Sequence, residues 1–204
     1  MTRAMNRIPP NNPALGEHDD GHRSAVFWLT GLSGAGKSTL AYGAQNILLE
    51  AGLRVSVLDG DVLRAGLNRD LGFSEGDRVE NMRRTAEVAK ILADAGMVVI
   101  TSLISPLHSG RVLAREIIGA RFHEIRLSAG LAICEARDPK GLYRRARRGE
   151  IAGFTGISSP YEVPVAADHV IDTGNLPESD AIEQFVSYIR SQVIPERAGR
   201  NGSI

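Results

Sequence analysis

The chain has 204 residues, of which 43% are hydrophobic and 24% are charged, a size that suits one α/β domain and is short for two. Because Lys and Arg together number 24, as do Asp and Glu, we expect no general attraction to nucleic acid or to an anionic membrane. A single cysteine, Cys134, excludes an internal disulfide framework, and we find no apolar stretch of the length of a membrane span and no export signal. We therefore expect a cytoplasmic protein.

The two ends of the chain differ in composition from its middle. Residues 1–24 are rich in Pro, Asn, Asp, His and Gly and show no periodicity, so we predict a flexible N-terminal arm. The last residues, 196–204, are predicted to form a frayed C-terminal tail on the same grounds. The folded domain is therefore predicted to span residues 25–195.

Strands and helices alternate along this domain. Strands are predicted at residues 25–30, 53–58, 97–101, 122–127 and 169–172, and helices at residues 38–51, 78–95, 107–118, 131–137, 139–149 and 179–193. The strands are nearly continuous apolar runs, which is typical of parallel sheets covered on both faces. We predict an α/β fold, a three-layer α/β/α sandwich around a mainly parallel five-stranded sheet.

A glycine-rich loop follows the first predicted strand and opens the first predicted helix. Residues 31–38 read GLSGAGKS and fit the pattern G-x-x-x-x-G-K-[ST]. Glycines let several backbone N–H groups point at one phosphate at the positive end of a helix. Lys37 then supplies a charge for the β- and γ-phosphates, and the Ser38 hydroxyl suits Mg²⁺. The residues predicted to bind nucleotide are Gly31, Ser33, Gly34, Ala35, Gly36, Lys37, Ser38 and Thr39.

This loop alone does not distinguish a kinase from a GTPase, an ATPase motor or a binding-only protein. The sequence has no N-K-x-D guanine motif, which argues against a GTPase. The small size of the chain argues against a motor.

Two aspartates, Asp59 and Asp61, follow the second predicted strand. The carboxyl ends of strands carry the chemistry in open α/β sheets, so these carboxylates are candidates to hold Mg²⁺ through water and to orient an attacking hydroxyl. Ser38 and Asp61 are the predicted metal-binding pair. The alternative is an Asp-Gly turn with solvated carboxylates.

Side chains suited to an anionic, aromatic acceptor follow. Arg78 and Asn81 lie three residues apart at a predicted helix start and share one face, where Arg78 suits an anionic group and Asn81 a hydroxyl or a base edge. Phe73 and Phe154 are candidates to stack on a base, although packing within loops is the more common role for such residues.

The segment at residues 140–148 is the one concentrated basic patch in the sequence. In a P-loop kinase a segment at this place closes as a lid over the phosphates and excludes water. A solvated helix face is the plain alternative. Binding of RNA is disfavoured because Tyr143 is the only aromatic residue among the basic ones.

Six segments together resemble the adenylylsulfate kinase family, and they occur in the order of that family. They are GLSGAGKSTL at residues 31–40, LDGD at 58–61, GFSEGDRVEN at 72–81, ISP at 104–106, AICEARDPKGLY at 132–143 and FTGI at 154–157. The resemblance covers roughly residues 21–190.

The resemblance implies a fold related to the P-loop nucleoside monophosphate kinases and a reaction in sulfate assimilation. ATP, with Mg²⁺, would phosphorylate the ribose 3′-hydroxyl of adenosine 5′-phosphosulfate (adenylylsulfate), giving 3′-phosphoadenosine 5′-phosphosulfate and ADP. The family also implies a homodimer. The acceptor site would be lined by Asp61, Arg64, Phe73, Arg78, Asn81, Ile104, Lys140, Leu142 and Phe154, and Arg137 and Thr173 would lie towards the adenine of ATP.

Lys37, Asp61 and Ser105 are the residues that the resemblance nominates for catalysis. We favour direct in-line transfer, with Ser105 as a positioning or phosphorylatable residue. A plain Ser-Pro turn at the end of a strand is an equally good interpretation of Ser105.

The sequence also departs from the family pattern. Where the family has an aromatic–basic pair after Ile-Ser-Pro, this chain has Leu107 and His108, and we expect Arg111 to supply a basic group nearby. Two rival functions remain: a kinase for another small metabolite on the same scaffold, and a regulatory nucleotide-binding module that has lost its chemistry. The presence of Lys37, Ser38 and Asp61 argues against the second.

Overall fold

A computed structural model describes residues 21–195 of the chain. The strands are β1 (Ala25–Thr30), β2 (Val55–Asp59), β3 (Val98–Ser102), β4 (Phe122–Leu127) and β5 (His169–Ile171). They form one sheet in the order β2-β3-β1-β4-β5, and every neighbouring pair is parallel. This arrangement confirms the five-stranded parallel sheet that the apolar runs predicted.

Helices cover both faces of the sheet. They are α1 (Lys37–Glu50), α2 (Gly60–Ala65), α3 (Glu75–Asp94), α4 (His108–Ile118), α5 (Leu131–Arg137), α6 (Leu142–Arg147) and α7 (Glu178–Val193), with a short 3₁₀ turn at Gly119–Arg121. Within residues 21–195, no helix is both long enough and apolar enough to cross a bilayer.

The central strand β1 divides the core into two halves. Phe27 and Leu29 face one side, where they join apolar residues of α1 and α7 in one buried cluster. Val26 and Trp28 face the other side and join residues of α3 and α4 in a second cluster. Alternate side chains of a strand point to opposite faces, so β1 is buried on both and the molecule is a three-layer sandwich.

The sheet order brings the functional segments to one edge. The connection that leaves β1 runs to β2 at one edge, whereas the connection that leaves its neighbour β3 runs the opposite way to β4, so the sheet has a switch point between β1 and β3. Ligands of open α/β sheets bind at such a switch point, outside the carboxyl ends of the strands. Asp59 at the end of β2 is paired in register with Ser102 at the end of β3, and the glycine-rich loop leaves the neighbouring β1.

Two helix starts differ from the prediction because side chains cap them. Helix α3 begins at Glu75, one turn earlier than predicted, since the Ser74 hydroxyl accepts a hydrogen bond from the Asp77 N–H at 3.2 Å. Helix α2 was not predicted. It exists because Asp59 caps it, accepting from the Asp61 N–H at 2.9 Å.

The basic helix is shorter than predicted. It covers Leu142–Arg147 rather than residues 139–149. Asp138 and Gly141 have positive φ angles of 23° and 65°, a conformation that a right-handed helix does not contain. The chain therefore turns sharply between α5 and α6 before the helix begins.

The first described residues are attached to the domain. The His22 imidazole accepts a hydrogen bond from the Arg54 N–H at 3.2 Å, and the Arg23 N–H donates to the Val193 carbonyl at 2.7 Å. The predicted arm includes residues 22–24, whereas His22 and Ser24 are buried against the domain. Residues 1–20 of the predicted arm and the predicted tail at 196–204 lie outside the described residues.

Candidate functional site

Lys37 lies at the end of the glycine-rich loop, where it is the first residue of α1. Its ammonium group donates hydrogen bonds to the carbonyls of Gly31 at 2.9 Å and Leu32 at 2.8 Å. Burial lowers the pKa of Lys37 to about 8. At neutral pH the group is therefore a buried cation, held by the loop at the end of the helix where phosphate is favoured.

The loop keeps its shape through contacts with the segment that follows β4. At Gly34, which has a φ of 77°, a Cβ atom would lie 2.9 Å from the Cys134 carbonyl oxygen. Only glycine combines this backbone conformation with such a close approach. The Tyr143 hydroxyl donates to the Ser33 carbonyl at 2.9 Å, a contact between α6 and the loop that the sequence did not reveal.

Ser38 is joined to Asp59, the capping residue of α2. The Ser38 hydroxyl donates to the Asp59 carboxylate at 2.6 Å and lies 3.1 Å from the Ser102 hydroxyl. Asp59 is buried, whereas Asp61 is exposed and forms an ion pair with Lys140. The expected metal pair was Ser38 and Asp61, but the carboxylate beside Ser38 belongs to Asp59. Hydroxyl and carboxylate oxygens are the ligands that a hard divalent cation prefers, so this cluster fits Mg²⁺.

Arg137 and Thr173 both contact the glycine-rich loop. The Arg137 guanidinium donates to the Thr173 carbonyl at 2.7 Å and to the Gly34 carbonyl at 3.4 Å. The Thr173 hydroxyl donates to the Ala35 carbonyl at 2.8 Å. Arg137 and Thr173 border one end of the cleft. This end continues to Leu176 and α7 and is the end farther from β2.

Phe73 is exposed at the other end of the cleft, between two arginines. The guanidinium carbons of Arg64 and Arg78 lie 4.3 Å and 5.8 Å from its ring centre. Arg64 also donates to the carbonyls of residues 71 and 72, and Arg78 donates to the Gly153 carbonyl at 2.8 Å. The arrangement offers an aromatic face and two positive charges in one place.

Phe154 is buried rather than exposed. Its ring packs edge-to-face on Tyr143, with 5.0 Å between ring centres, and it still forms part of the cleft wall together with Leu142. Arg78 reaches the neighbouring Gly153, so the start of α3 is joined to this wall.

The basic segment pairs with acidic residues close by. Its ion pairs are Arg144 with Asp138, Arg145 and Arg148 with Glu150, and Arg147 with Glu135. Each of these arginines thus has an acidic partner within or beside the segment, and Lys140 pairs instead with Asp61.

Ser105 has its hydroxyl engaged inside the protein. The residue is 2% exposed and has a positive φ of 46°. Its hydroxyl accepts a hydrogen bond from the Trp28 indole N–H at 2.8 Å, and its carbonyl accepts from Thr30 and Arg111. The preceding carbonyl, of Ile104, accepts from the Thr30 hydroxyl at 2.8 Å. These contacts favour the positioning role for Ser105.

Arg111 does not supply a basic group to the cleft, so that expectation was wrong. Its side chain is 2% exposed and forms an ion pair with Glu124 on β4 at 2.7 Å. It also donates to the carbonyls of Ser105 and Glu162, each at 2.8 Å. Helical spacing placed Arg111 on α4 but could not show that its side chain turns inwards.

Asn81 has a partner that the sequence did not suggest. The amide nitrogen of Asn68 donates to the Asn81 side-chain oxygen at 2.9 Å, and both residues are buried. Asn68 follows α2 in a turn at residues 66–70, where an asparagine is ordinary and gives no signal of function.

A single cleft of about 1060 Å³ joins the two ends of the site. Its walls include every residue predicted to bind nucleotide, acceptor or metal, except Gly31 and Ala35. Gly31 contributes its carbonyl to Lys37, and Ala35 contributes its carbonyl to Thr173. The geometry can hold a nucleoside triphosphate at the loop and a second, anionic molecule against Phe73.

Known proteins are similar to this chain in sequence and in fold. The family described as adenylylsulphate kinase matches residues 23–172. The adenylyl-sulfate kinase of Paraburkholderia xenovorans is 56% identical over 167 residues, which cover 82% of this chain and 93% of that protein.

Two solved structures extend the comparison. The APS kinase of Mycobacterium tuberculosis, in complex with AMPPNP and APS, superimposes with a TM-score of 0.80 at 46% identity, covering 82% of this chain and 98% of that one. The hexameric APS kinase from Thiobacillus denitrificans has a TM-score of 0.63 at 30% identity, covering 84% of this chain and 30% of that one. The chain belongs to the adenylylsulfate kinase family.

Proposed function

We propose that this protein transfers the γ-phosphoryl group of ATP to the ribose 3′-hydroxyl of adenosine 5′-phosphosulfate, giving 3′-phosphoadenosine 5′-phosphosulfate and ADP. The observation that carries the proposal is the shared cleft, in which the phosphate-binding loop faces Phe73, Arg78 and Asn81. The M. tuberculosis relative, bound to AMPPNP and APS, supports the same pair of ligands for this chain.

ATP is bound by the glycine-rich loop in this proposal. Lys37 exchanges its hydrogen bonds to the loop carbonyls for contacts with the β- and γ-phosphates. The adenine lies towards Arg137 and Thr173, whose contacts with Gly34 and Ala35 link the base end of the cleft to the phosphate end.

Ser38 and Asp59 are the residues that would hold Mg²⁺. When bound, Mg²⁺ would supply positive charge that neutralises the charge of the transferred phosphoryl group. The buried Asp59 carboxylate orients the Ser38 hydroxyl at 2.6 Å, which keeps both oxygens in one place. Asp61 lies two residues further on and is left to serve the acceptor.

The acceptor nucleotide binds between the aromatic and charged residues at the α3 end. Phe73 offers an exposed ring for the adenine, and Arg64 and Arg78 supply positive charge for the phosphosulfate. Asp61, held beside Lys140, accepts a hydrogen bond from the ribose 3′-hydroxyl and aims it at the γ-phosphate. The transfer itself asks for positioning and charge neutralisation more than for covalent help.

We further infer a cytoplasmic homodimer with no nucleic-acid or membrane partner. The balanced charge and single buried cysteine support this location and these partners. The assembled relative from T. denitrificans supports self-association, although that protein is a hexamer.

The test is ADP release by the purified protein with ATP, Mg²⁺ and one acceptor at a time. Adenylylsulfate is compared with AMP, gluconate and shikimate. The proposal expects release that depends on adenylylsulfate and is weak or absent with the other three. Turnover of another acceptor alone would identify a different kinase on this scaffold, and ATP binding without any turnover would favour a regulatory module.

A further inference from the structure

Asn68 is a fully buried polar residue to which the proposed function assigns no role. It lies between α2 and α3, and its backbone is fixed on both sides: its N–H donates to the Leu63 carbonyl at 2.8 Å and its carbonyl accepts from the Leu71 N–H at 3.1 Å. Its side-chain nitrogen donates to the Asn81 side-chain oxygen at 2.9 Å. A fixed backbone and full burial hold this side chain in one place, so only the exchange of its oxygen and nitrogen ends is left open.

The direction of the hydrogen bond follows from what each amide leaves unpaired. Two asparagine amides can pair in either sense, since each has a donor and an acceptor end. In the observed sense, the Asn68 oxygen is buried without a hydrogen-bond partner among residues 21–195. The reverse sense would place the Asn68 NH₂ there and bury two N–H groups without acceptors. The observed sense leaves one N–H and the oxygen of the Asn68 amide without a partner among the described residues, whereas the reverse sense leaves both of its N–H groups without one. Buried N–H groups are left unpaired less often than carbonyl oxygens, so Asn68 is the donor.

The pairing decides what Asn81 shows to the cleft. Asn81 forms part of the cleft wall, and its position on α3 is tied by its backbone carbonyl, which accepts from the Thr85 hydroxyl at 2.7 Å. Because Asn68 occupies the Asn81 oxygen, the group that Asn81 has left for a ligand is its NH₂.

We propose that Asn68 is a positioning residue for acceptor selection, which holds the Asn81 amide with its NH₂ towards the acceptor substrate. The substrate must then present a lone pair at that point, from a ring nitrogen, a hydroxyl or a phosphosulfate oxygen. This inference rests on the proposed function, because adenylylsulfate is taken as the acceptor.

The substitution Asn68→Asp tests the inference with almost no change of shape. A carboxylate at this position cannot donate, so the Asn81 amide turns over to donate to it and presents its oxygen to the substrate. We expect the KM for adenylylsulfate to rise about tenfold or more, since one hydrogen bond becomes a repulsion. The KM for ATP is unchanged and kcat changes less than about threefold, because the phosphate end is untouched.

Two controls separate reorientation from added charge. Asn46→Asp places the same charge at an exposed position of α1 and is expected to leave both KM values unchanged. In an Asn81→Ala background, Asn68→Asp should have no further effect on the KM for adenylylsulfate, whereas simple repulsion of an anionic substrate would persist there. Thermal melting of each variant confirms that it is folded.

Should the Asn68→Asp variant not fold, Asn68→Ala is the substitute. It frees the Asn81 amide and is expected to raise the KM for adenylylsulfate about threefold.

The inference is overturned if Asn68→Asp leaves the KM for adenylylsulfate unchanged, or raises it equally with and without the Asn81 side chain. Absence of turnover by the unaltered protein would instead overturn the proposed function, and this inference with it.

Discussion

Single residues of the site hold charge where the protein has excluded water. Lys37 is the clearest example, because two loop carbonyls replace the water around its ammonium group, and burial still lowers its pKa to about 8. A lysine with this pKa is charged at neutral pH and loses its charge within the pH range in which activity can be measured.

The pH dependence of ATP use should therefore report Lys37. The cation is the form that binds phosphate, and it is lost as the pH rises through about 8, so we expect kcat/KM for ATP to fall above that pH. The fall in kcat should occur at a higher pH than the fall in kcat/KM, because bound phosphates favour the charged form of Lys37. Steady-state rates from about pH 6.5 to about pH 9.5 measure both. In Lys37→Arg, which stays charged throughout, the same fall in kcat/KM would contradict the assignment.

We expect the two aspartates at and just after the end of β2, Asp59 and Asp61, to have different roles, which conservative substitutions can separate. Asparagine caps helices as well as aspartate, so Asp59→Asn should preserve α2 and the melting temperature while removing the buried charge beside Ser38. We expect the Mg²⁺ concentration for half-maximal turnover to rise at least about tenfold. Asp61→Asn is the matched control, expected to lower kcat at an unchanged Mg²⁺ midpoint. Equal midpoints in the two variants would contradict this division of roles between Asp59 and Asp61.

We expect Ser105 to support its turn rather than to take part in the chemistry. Replacing Ser105 with Ala removes the acceptor for the Trp28 indole N–H and should lower the free energy of unfolding by about 1–3 kcal/mol. Phosphoryl transfer should remain, with kcat within about threefold of the unaltered protein. Chemical denaturation and initial rates measure the two effects. A loss of kcat of about a hundredfold at unchanged stability would restore Ser105 as a catalytic residue.

At the scale of elements, the sequence predicts what depends on local pattern. Strand β4 and helix α5 lie where the pattern places them, and the glycine-rich loop lies between β1 and α1 as expected. Helix α2 was missed because Asp-Gly-Asp is an ordinary turn sequence, and only the capping contact of Asp59 shows that a helix starts there. Helix α6 was overextended because composition does not reveal the left-handed residues Asp138 and Gly141.

The ion pair of Arg111 and Glu124 joins α4, β4 and the Ser105 turn. Arg111→Leu leaves the Glu124 carboxylate, already buried enough for its pKa to be raised, without its closest partner. We expect a loss of about 3 kcal/mol in the free energy of unfolding. Arg115→Leu, one turn further along α4 at a more exposed pair with Asp168, should cost less than about 1 kcal/mol. Urea unfolding measures the free energy of unfolding of both variants. Equal losses in the two would contradict a supporting role for the buried pair.

At the scale of the molecule, the parallel sheet gathers segments that lie far apart in the sequence. Ser38 lies after β1, Asp59 ends β2 and Ser102 ends β3, and the three meet because β2, β3 and β1 are neighbours. The positions of the motifs after the predicted strands were therefore enough to locate the residues of the cleft, because a parallel sheet brings the carboxyl ends of its strands to one edge. It could not locate the partners of Asn81 and Ser105, because hydrogen bonds between distant side chains leave no pattern in a single sequence.

The product formed from ATP and adenylylsulfate shows whether the protein phosphorylates the ribose 3′-hydroxyl. The unaltered protein is incubated with ATP, Mg²⁺ and adenylylsulfate, and the nucleotide product is characterised by mass and by phosphorus NMR. We expect equal amounts of ADP and of adenylylsulfate that is heavier by one phosphoryl group, with the new phosphate on the ribose 3′-oxygen. Phosphate on any other atom, or ADP formed at the same rate without adenylylsulfate, would contradict this expectation.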